Sequence, residues 1–212
     1  YSGMDVEPFI ACHRLADAAR AELQFADGDI VVGKIARLFH LKGHEYLIDA
    51  AKSVVARNPR VRFLLVGDGV LRAQYERRIA ELGLTKHFVF TGLVPPERVP
   101  YYLSAMDALV HTSLREGLAR TLPQALIAGK PVVSYDVDGA REVVLPGETG
   151  FLLPPKSVAP LAEAILELAN DSSLRSRLGE RGAARFTEQF RHPVMSQRIR
   201  QLYLNLRPEK SL

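Results

Sequence analysis

Three basic residues lie near the end of the first predicted strand. The strand is predicted over residues 29–35, and Lys34, Arg37 and Lys42 precede a helix predicted from Gly43. The amino end of a helix carries unpaired N–H groups and a partial positive charge, so added cations make this connection suitable for binding a diphosphate without a metal. Basic loop residues are often merely solvated, but the carboxyl end of a parallel strand is where such sheets bind phosphate. A diphosphate site is therefore the favoured interpretation.

A carboxylate follows a later strand. Glu116 lies after the strand predicted over 108–112, and a helix predicted from Thr121 to about Gly129 comes next. The position predicts that Glu116 faces a ligand crevice and that the amino end of the helix favours an anion. Thr121 and Gln124 also have the spacing of a capping box, in which each side chain satisfies the backbone N–H of the other residue. That structural role and a binding role are supported equally.

A glycine-rich turn, Gly67-Asp68-Gly69, follows the second predicted strand. Arg72 stands where a dinucleotide-binding fingerprint has its third glycine, which favours a plain tight turn. No Walker A sequence occurs in the chain, and a P-loop nucleotidase is excluded. His40, His44 and His111 lie near the predicted site, but a lone histidine beside a phosphate loop is more often a packing or solvated residue, so none is assigned a catalytic role.

The elements that must position these residues alternate along the chain. Short β-branched runs alternate with amphipathic segments, which predicts parallel βαβ units and an α/β domain with a doubly wound parallel sheet. The predicted strands cover residues 29–35, 62–66, 88–91, 108–112, 131–135 and 150–153. Helices are predicted over 13–24 and 43–57, around Tyr75 and Ile79, and from Thr121. From Ser157 onwards the pattern is wholly helical, which predicts a C-terminal helical cap.

The composition is that of a globular domain. The chain has 212 residues, 47% of them hydrophobic, a net charge of +4 and a single cysteine, Cys12, which cannot form an internal disulfide. This cysteine usage predicts a reducing compartment, the cytoplasm. No apolar run approaches the roughly 18 to 20 residues of a membrane-spanning helix. The chain begins with Tyr1 and shows no signal peptide, and we expect it to be a fragment of a longer protein.

Taken in order, these segments resemble the C-terminal, donor-binding domain of retaining GT-B glycosyltransferases of the group 1 family. The matching segments are residues 37–43, 67–69, 90–94, 116–117, 129–133, 139–144 and 149–154. Each motif is weak alone, but their order and spacing together are a strong signal. The resemblance implies that residues 1–212 form the Rossmann-like donor half of a GT-B fold, and that the N-terminal acceptor domain of the full-length protein is absent from this chain.

The resemblance also implies a function and roles for individual residues. The reaction is transfer of a sugar from a nucleotide diphospho-sugar to an acceptor hydroxyl with retention of configuration, with no metal or other cofactor. Arg37 and Lys42 hold the pyrophosphate and neutralise the leaving group, and Glu116 lies against the donor sugar. The implied substrate-binding residues are Val94, in the base pocket, and Gly117, Leu118, Ala119, Arg120, Thr121 and Gln124.

This sequence departs from the family pattern at two places. Gln124 stands where the family has a second glutamate that accepts hydrogen bonds from the ribose, and a neutral amide offers only one acceptor oxygen. Leu118-Ala119 replaces Phe-Gly, and Arg120 adds a charge beside the phosphate site. We therefore expect the ribose contact to be weaker or differently arranged, and the nucleotide, donor sugar and acceptor stay open.

Two other functions compete with glycosyl transfer. Because Gln124 replaces the second glutamate, the chain could be a sugar-nucleotide-binding module without catalysis. A GT-B sugar-nucleotide epimerase or a phosphorylase is the other alternative, because both have the same two-domain architecture. No signature of a phosphorylase's lysine-bound cofactor is present. Because the transfer needs both domains closed around the donor, we expect this chain alone to bind nucleotide but to transfer sugar slowly or not at all.

A basic stripe bears on possible macromolecular partners. Arg177, Arg181 and Arg185 recur every four residues on a predicted terminal helix. A solvated face is the favoured interpretation, and peripheral contact with an anionic membrane, at its inner face, is the alternative. Nucleic-acid binding is not expected, since no aromatic residues interleave the basic ones and no nucleic-acid motif is present.

Overall fold

The computed structural model describes residues 2–206, in which strands and helices alternate. The strands are β1 (Ile30–Ile35), β2 (Val61–Val66), β3 (Phe88–Gly92), β4 (Ala108–His111), β5 (Val132–Tyr135) and β6 (Gly150–Leu153). The helices are α1 (Glu7–Ala11), α2 (Ala16–Glu22), α3 (His44–Arg57), α4 (Arg72–Glu81), α5 (Val99–Ala105), α6 (Thr121–Ile127), α7 (Val158–Asn170), α8 (Ser172–Phe186) and α9 (His192–Asn205).

The strands form one parallel sheet in the order β3-β2-β1-β4-β5-β6. Val32 of β1 pairs with Phe63 of β2 on one side and with Ala108 of β4 on the other. The strand order runs outwards from β1 to β3 in one direction and from β4 to β6 in the other. The connections that leave β1 and β4 therefore diverge, which opens a crevice at the carboxyl ends of these two strands.

Both faces of the sheet are buried under helices. Neighbouring residues of one strand point to opposite faces, so Val32 belongs to one apolar cluster and Val31 to the other. Helices α3, α4 and α7 cover the first face with their apolar stripes, including Leu47, Tyr75 and Ile165. The second face is covered by residues of α1, α2, α5, α6 and α8. The continuous apolar character of the strands follows from this two-sided burial.

The predicted α/β class, parallel sheet and helical cap are confirmed, and most predicted elements agree to within a residue or two. The first helix differs. One helix is predicted over 13–24, whereas the chain forms α1, a 3-10 turn at Cys12–Leu15 and then α2. Helical structure begins earlier, with Pro8 in the first turn of α1, where a missing N–H costs no hydrogen bond.

The predicted cap consists of α7, α8 and α9, and its helices differ in burial. Leu161, Ile165 and Leu168 of α7 are buried as predicted, whereas no residue of α9 is buried. Within residues 2–206, no helix is both long enough and apolar enough to span a membrane.

Candidate functional site

Two loops border the crevice between β1 and β4, and their backbones contact each other. The loop after β1 covers residues 36–43, and the loop after β4 covers residues 112–120. The N–H of Leu114 donates to the carbonyl of Leu41 at 2.9 Å. The two loops that carry most of the predicted site residues are therefore held together, although about 70 residues separate them in sequence.

Gly43 permits this contact, and only glycine suits its conformation. The loop after β1 ends in a 3-10 turn over His40–Lys42, after which Gly43 adopts φ +63° and α3 begins. A Cβ atom at this position would lie 2.1 Å from the carbonyl oxygen of Thr112. Left-handed backbone and close approach both exclude a side chain here. The glycine therefore determines where Lys42 lies relative to the loop after β4.

A cation and a carboxylate meet across the crevice. Lys42 Nζ forms an ion pair with Glu116 Oε1, and the two side chains are 28% and 20% exposed. The backbone of the carboxylate loop is held by the 3-10 turn that follows β5, because the N–H of Glu116 donates to Asp138 Oδ2 at 2.6 Å and the N–H of Gly139 donates to the carbonyl of Gly117 at 3.1 Å. The pair is thus accessible to a ligand while its loops are fixed.

A buried lysine lies beneath this pair. Lys34 is 1% exposed, and its Nζ donates to Thr112 Oγ1 at 3.0 Å. Burial lowers the pKa of Lys34 to about 7, and Lys42 acts in the same direction, while Glu45 and Glu116 oppose the shift. The prediction of three loop cations is therefore wrong for Lys34, which lies inside β1, where its long side chain reaches a polar partner just after β4.

Two histidines next to the lysines are neutral. His111 Nε2 lies 3.8 Å from Glu116 Oε1, but burial and the charges of Lys34 and Lys42 lower the pKa of His111 well below its usual range. Burial, followed by Lys34, lowers the pKa of His44 to about 2. The contact between His111 and Glu116 is therefore not an ion pair, and the positive charge of the site belongs to its lysines and arginines.

The remaining predicted residues differ in exposure. Arg37 and Arg120 are exposed, as is Gly117, and within residues 2–206 Arg37 makes no ion pair. Val94, which lies just after the edge strand β3, is half-buried. The loop after β4 and the start of α6 contribute four more half-buried residues, Leu118, Ala119, Thr121 and Gln124. A cleft of about 440 Å³ adjoins this region and is lined by Leu118, Arg120, Pro123 and Glu142, among others.

The capping-box interpretation of Thr121 and Gln124 is wrong. Arg120 precedes α6 with φ −58° and ψ −27°, and no side chain of the described residues caps this helix. Because Arg120 is already helical, Thr121 lies inside the first turn, where its hydroxyl does not face the free N–H groups in the way a capping residue does. The Gln124 side chain is therefore not used in a cap.

The glycine-rich turn after β2 supports the loop after β1. Gly67 adopts φ +135°, and a Cβ atom there would lie 2.3 Å from the carbonyl oxygen of Ala36. The N–H of Leu38 donates to the carbonyl of Asp68 at 3.0 Å. The turn therefore packs against the loop after β1, in agreement with its interpretation as a plain tight turn.

Sequence reasoning missed Thr112 and Asp138 as parts of the site, and it placed Lys34 in a loop rather than inside β1. A charge within an apolar β-branched strand was the available signal for Lys34, because such strands are buried on both faces. Thr112 and Asp138 gave no comparable signal, since polar residues at strand ends are common. Among the described residues, no three histidine, cysteine, aspartate or glutamate side chains converge in a group that could hold a metal ion.

Comparison with known proteins shows what the chain is similar to. The family model of the glycosyl transferases group 1 matches residues 16–185. The chain is 34% identical over 176 residues to the 2-deoxystreptamine glucosyltransferase of Streptomyces kanamyceticus, and the match covers 79% of this chain and 46% of that protein. The chain therefore spans less than half of that relative's length.

Solved structures show the same fold. HepE of Anabaena, crystallised in complex with UDP, is 29% identical with a TM-score of 0.88 over 97% of this chain and 57% of HepE, and it has also been crystallised with UDP-glucose. The C-terminal domain of a group 1 glycosyl transferase, LpcC of Francisella tularensis, has a TM-score of 0.78 over 90% of this chain and all of that domain, a likeness of fold at 22% identity. With a family match over most of its length, this chain belongs to the glycosyl transferases group 1 family.

Proposed function

We propose that this chain is the donor-binding half of a retaining glycosyltransferase and binds a nucleotide diphospho-sugar in the crevice between β1 and β4. The observation that carries the proposal is the meeting of Lys42 and Glu116 beyond the carboxyl ends of these strands. This position is where open α/β sheets bind their ligands. The similar protein HepE has been crystallised with UDP and with UDP-glucose, which supports a nucleotide sugar as the ligand class.

The charges of the site suit the leaving group of such a reaction. When the bond between sugar and diphosphate breaks, negative charge develops on the departing phosphate oxygen. Lys42, together with the exposed Arg37, is placed to stabilise that charge, which is the main way an enzyme site lowers the barrier of such a step. The acceptor oxygen then forms the new bond to the anomeric carbon, and its proton passes to the departing diphosphate, so that the products are the glycoside and the nucleoside diphosphate.

Glu116 has a separate role in this proposal. It neutralises Lys42 in their ion pair, and each side chain thereby avoids an unpaired charge in a partly buried place. A diphosphate that takes over Lys42 releases the carboxylate, whose oxygens can then accept hydrogen bonds from the sugar hydroxyls. The retaining stereochemistry rests on the family resemblance of the motifs.

Calorimetric titration of this chain with UDP, GDP and ADP tests the proposal. We expect one diphosphate to bind, and the double variant Arg37→Ala with Lys42→Ala to weaken it by about a hundredfold, since two charge-assisted contacts are lost. Lys52→Ala, an exposed lysine further along α3, is the matched control and should leave the affinity unchanged. Equal affinities of the double variant and the parent would place the diphosphate elsewhere.

The complete protein is needed to test transfer. We expect this chain alone to bind the donor without measurable transfer, because the chain spans less than half of its curated relative and the reaction needs a second domain to bring the acceptor to the donor. In the complete protein, Glu116→Ala should abolish transfer. Donor binding by a complete protein that transfers no sugar to any acceptor would instead favour a binding module.

A further inference from the structure

Lys34 is a charged residue inside the sheet, and the proposed chemistry does not use it. Its side chain is 1% exposed, and it stands in β1 among residues that are otherwise apolar or glycine. Burying an ammonium group is costly unless the group is paired or hydrogen-bonded. A lysine at such a position therefore calls for a compensating interaction, and the structure supplies one.

The interaction consists of two consecutive hydrogen bonds, called the relay below, that connect β1 to the end of the loop after β1. Lys34 Nζ donates to Thr112 Oγ1 at 3.0 Å, and Thr112 Oγ1 donates to the carbonyl of Gly43 at 2.6 Å. A hydroxyl has one hydrogen, and the Thr112 hydrogen is directed at Gly43. The oxygen of the Thr112 hydroxyl can therefore accept a hydrogen bond, and Lys34 is the donor. The relay ends on the carbonyl of Gly43, the residue that follows Lys42.

We propose that Lys34 is a positioning residue of the donor site: acting through Thr112 and Gly43, it holds the β1–α3 connection so that Lys42 faces Glu116 and the incoming diphosphate. This inference rests on the proposed function. It assigns Lys34 no contact with the substrate. A role in core packing alone could be filled by an apolar residue of the same shape. A positioning role predicts that such a residue changes the environment of Lys42 and weakens anion binding.

The surroundings of Lys34 couple it to an arriving anion. The charged or titratable groups facing it are Lys42, Glu45, His44, His111 and Glu116. Since burial and Lys42 lower the pKa of Lys34 to about 7, its ammonium is partly deprotonated near neutral pH. A diphosphate at Lys42 adds negative charge nearby and raises the pKa of Lys34. Binding should therefore be accompanied by uptake of a proton.

Two pairs of variants test the relay. Lys34→Met keeps the shape and removes the donor, and Thr112→Val removes the hydroxyl that Thr112→Ser keeps. We expect Lys34→Met and Thr112→Val to weaken UDP binding about tenfold, and Thr112→Ser to stay within about twofold of the parent. Lys52→Met, on the exposed surface of α3, is the control and should bind as the parent does. Parent-like affinity of Lys34→Met would overturn the proposal.

Proton uptake separates positioning from packing. Titrations at about pH 8, where UDP is fully ionised, are repeated in buffers of different ionisation enthalpy. The parent should take up protons as UDP binds, because the pKa of Lys34 rises, and Lys34→Met should take up markedly fewer. Equal uptake by parent and variant would show that Lys34 does not respond to the diphosphate and would also overturn the proposal.

A measurement without nucleotide keeps this inference distinct from the proposed function. In chains labelled with 13C at lysine Cε, the Lys42 signal should move in Lys34→Met and Thr112→Val and stay in place in Thr112→Ser. If the parent binds no diphosphate, the proposed function fails, and this signal still decides the relay. An unmoved Lys42 signal in both disrupting variants would show that Lys34 does not position Lys42.

Discussion

At the scale of single residues, burial rather than residue type determines the charge of this site. His44 stacks on Tyr75 with 5.4 Å between ring centroids, and within residues 2–206 neither of its ring nitrogens has a hydrogen-bond partner. Burial is the largest cause that lowers its pKa, ahead of the repulsion by Lys34. The same two causes keep His111 neutral. Within this site, the positive charge therefore belongs to the lysines and arginines and not to these two histidines.

The depressed pKa of His44 makes the chain sensitive to acid. As the pH falls below about 6.5, the imidazole takes up a proton in the unfolded chain but not in the folded chain, whose His44 pKa is about 2, so the free energy of unfolding decreases. His44 alone should contribute a loss of about 2 kcal/mol between pH 7 and pH 5. We expect His44→Phe to reduce the loss by that amount, as measured by urea unfolding at both pH values.

An exposed histidine provides the control for this measurement. His13→Gln should leave the slope of stability against pH nearly as it is in the parent. An unchanged slope in His44→Phe would mean that the folded chain accommodates a protonated imidazole at position 44.

At the scale of elements, the connection between β1 and α3 is the most constrained part of the site. It crosses the loop after β4 at Gly43, where a left-handed backbone coincides with contact to the backbone of Thr112. On its other side it packs against Gly67 and Gly69, whose added Cβ atoms would lie 2.3 and 2.4 Å from backbone oxygens of this loop. Close backbone packing on two sides leaves the loop little freedom and orients Lys42.

Gly43→Ala tests this constraint. The added methyl group would lie 2.1 Å from a backbone oxygen at a φ of +63°, so we expect a loss of about 2 to 4 kcal/mol in the free energy of unfolding and weaker binding of UDP. Gly117→Ala is the matched control on the facing loop, since its Cβ would have no heavy atom within 4 Å and its φ is not left-handed. That variant should unfold within about 1 kcal/mol of the parent.

At the scale of the whole molecule, one sheet joins two apolar clusters. Each strand contributes to both, as Val31 and Val32 show, and neither cluster can form without the sheet. The beginning and the end of the described chain also meet, because the N–H of Met4 donates to the carbonyl of Phe190 at 2.8 Å and Glu7 pairs with Arg191 at 2.6 Å. These contacts, between residues far apart in sequence, hold the helical cap against the beginning of the chain.

The shared sheet predicts one unfolding transition. We expect the calorimetric and van't Hoff enthalpies of the chain to agree. Ile165→Ala in one cluster and Leu126→Ala in the other should each lower the stability of that single transition by about 2 to 5 kcal/mol, because both side chains are fully buried. Two separable transitions, each sensitive to only one of these variants, would show that the two faces fold independently.

The sequence by itself determined the class of fold, the extent of most elements and the family. Periodicity is a local property, so β1 is observed at Ile30–Ile35 against the predicted 29–35, and α3 at His44–Arg57 against 43–57. The first helical segment begins earlier than predicted, and the capping box, one of two interpretations of Thr121 and Gln124, does not form. The reason is that small shifts in where a helix begins depend on tertiary contacts of its first turn.

Only the tertiary structure decided which of the candidate residues act together. The strand order brings β4 beside β1, and this pairing places Glu116 on Lys42 and Thr112 between Lys34 and Gly43 across more than 60 positions of sequence. It also converts Lys34 from a predicted loop cation into a buried one with a pKa near 7. Contacts and desolvation of this kind depend on the packing of segments that are distant in sequence, so the local pattern of residues cannot predict them.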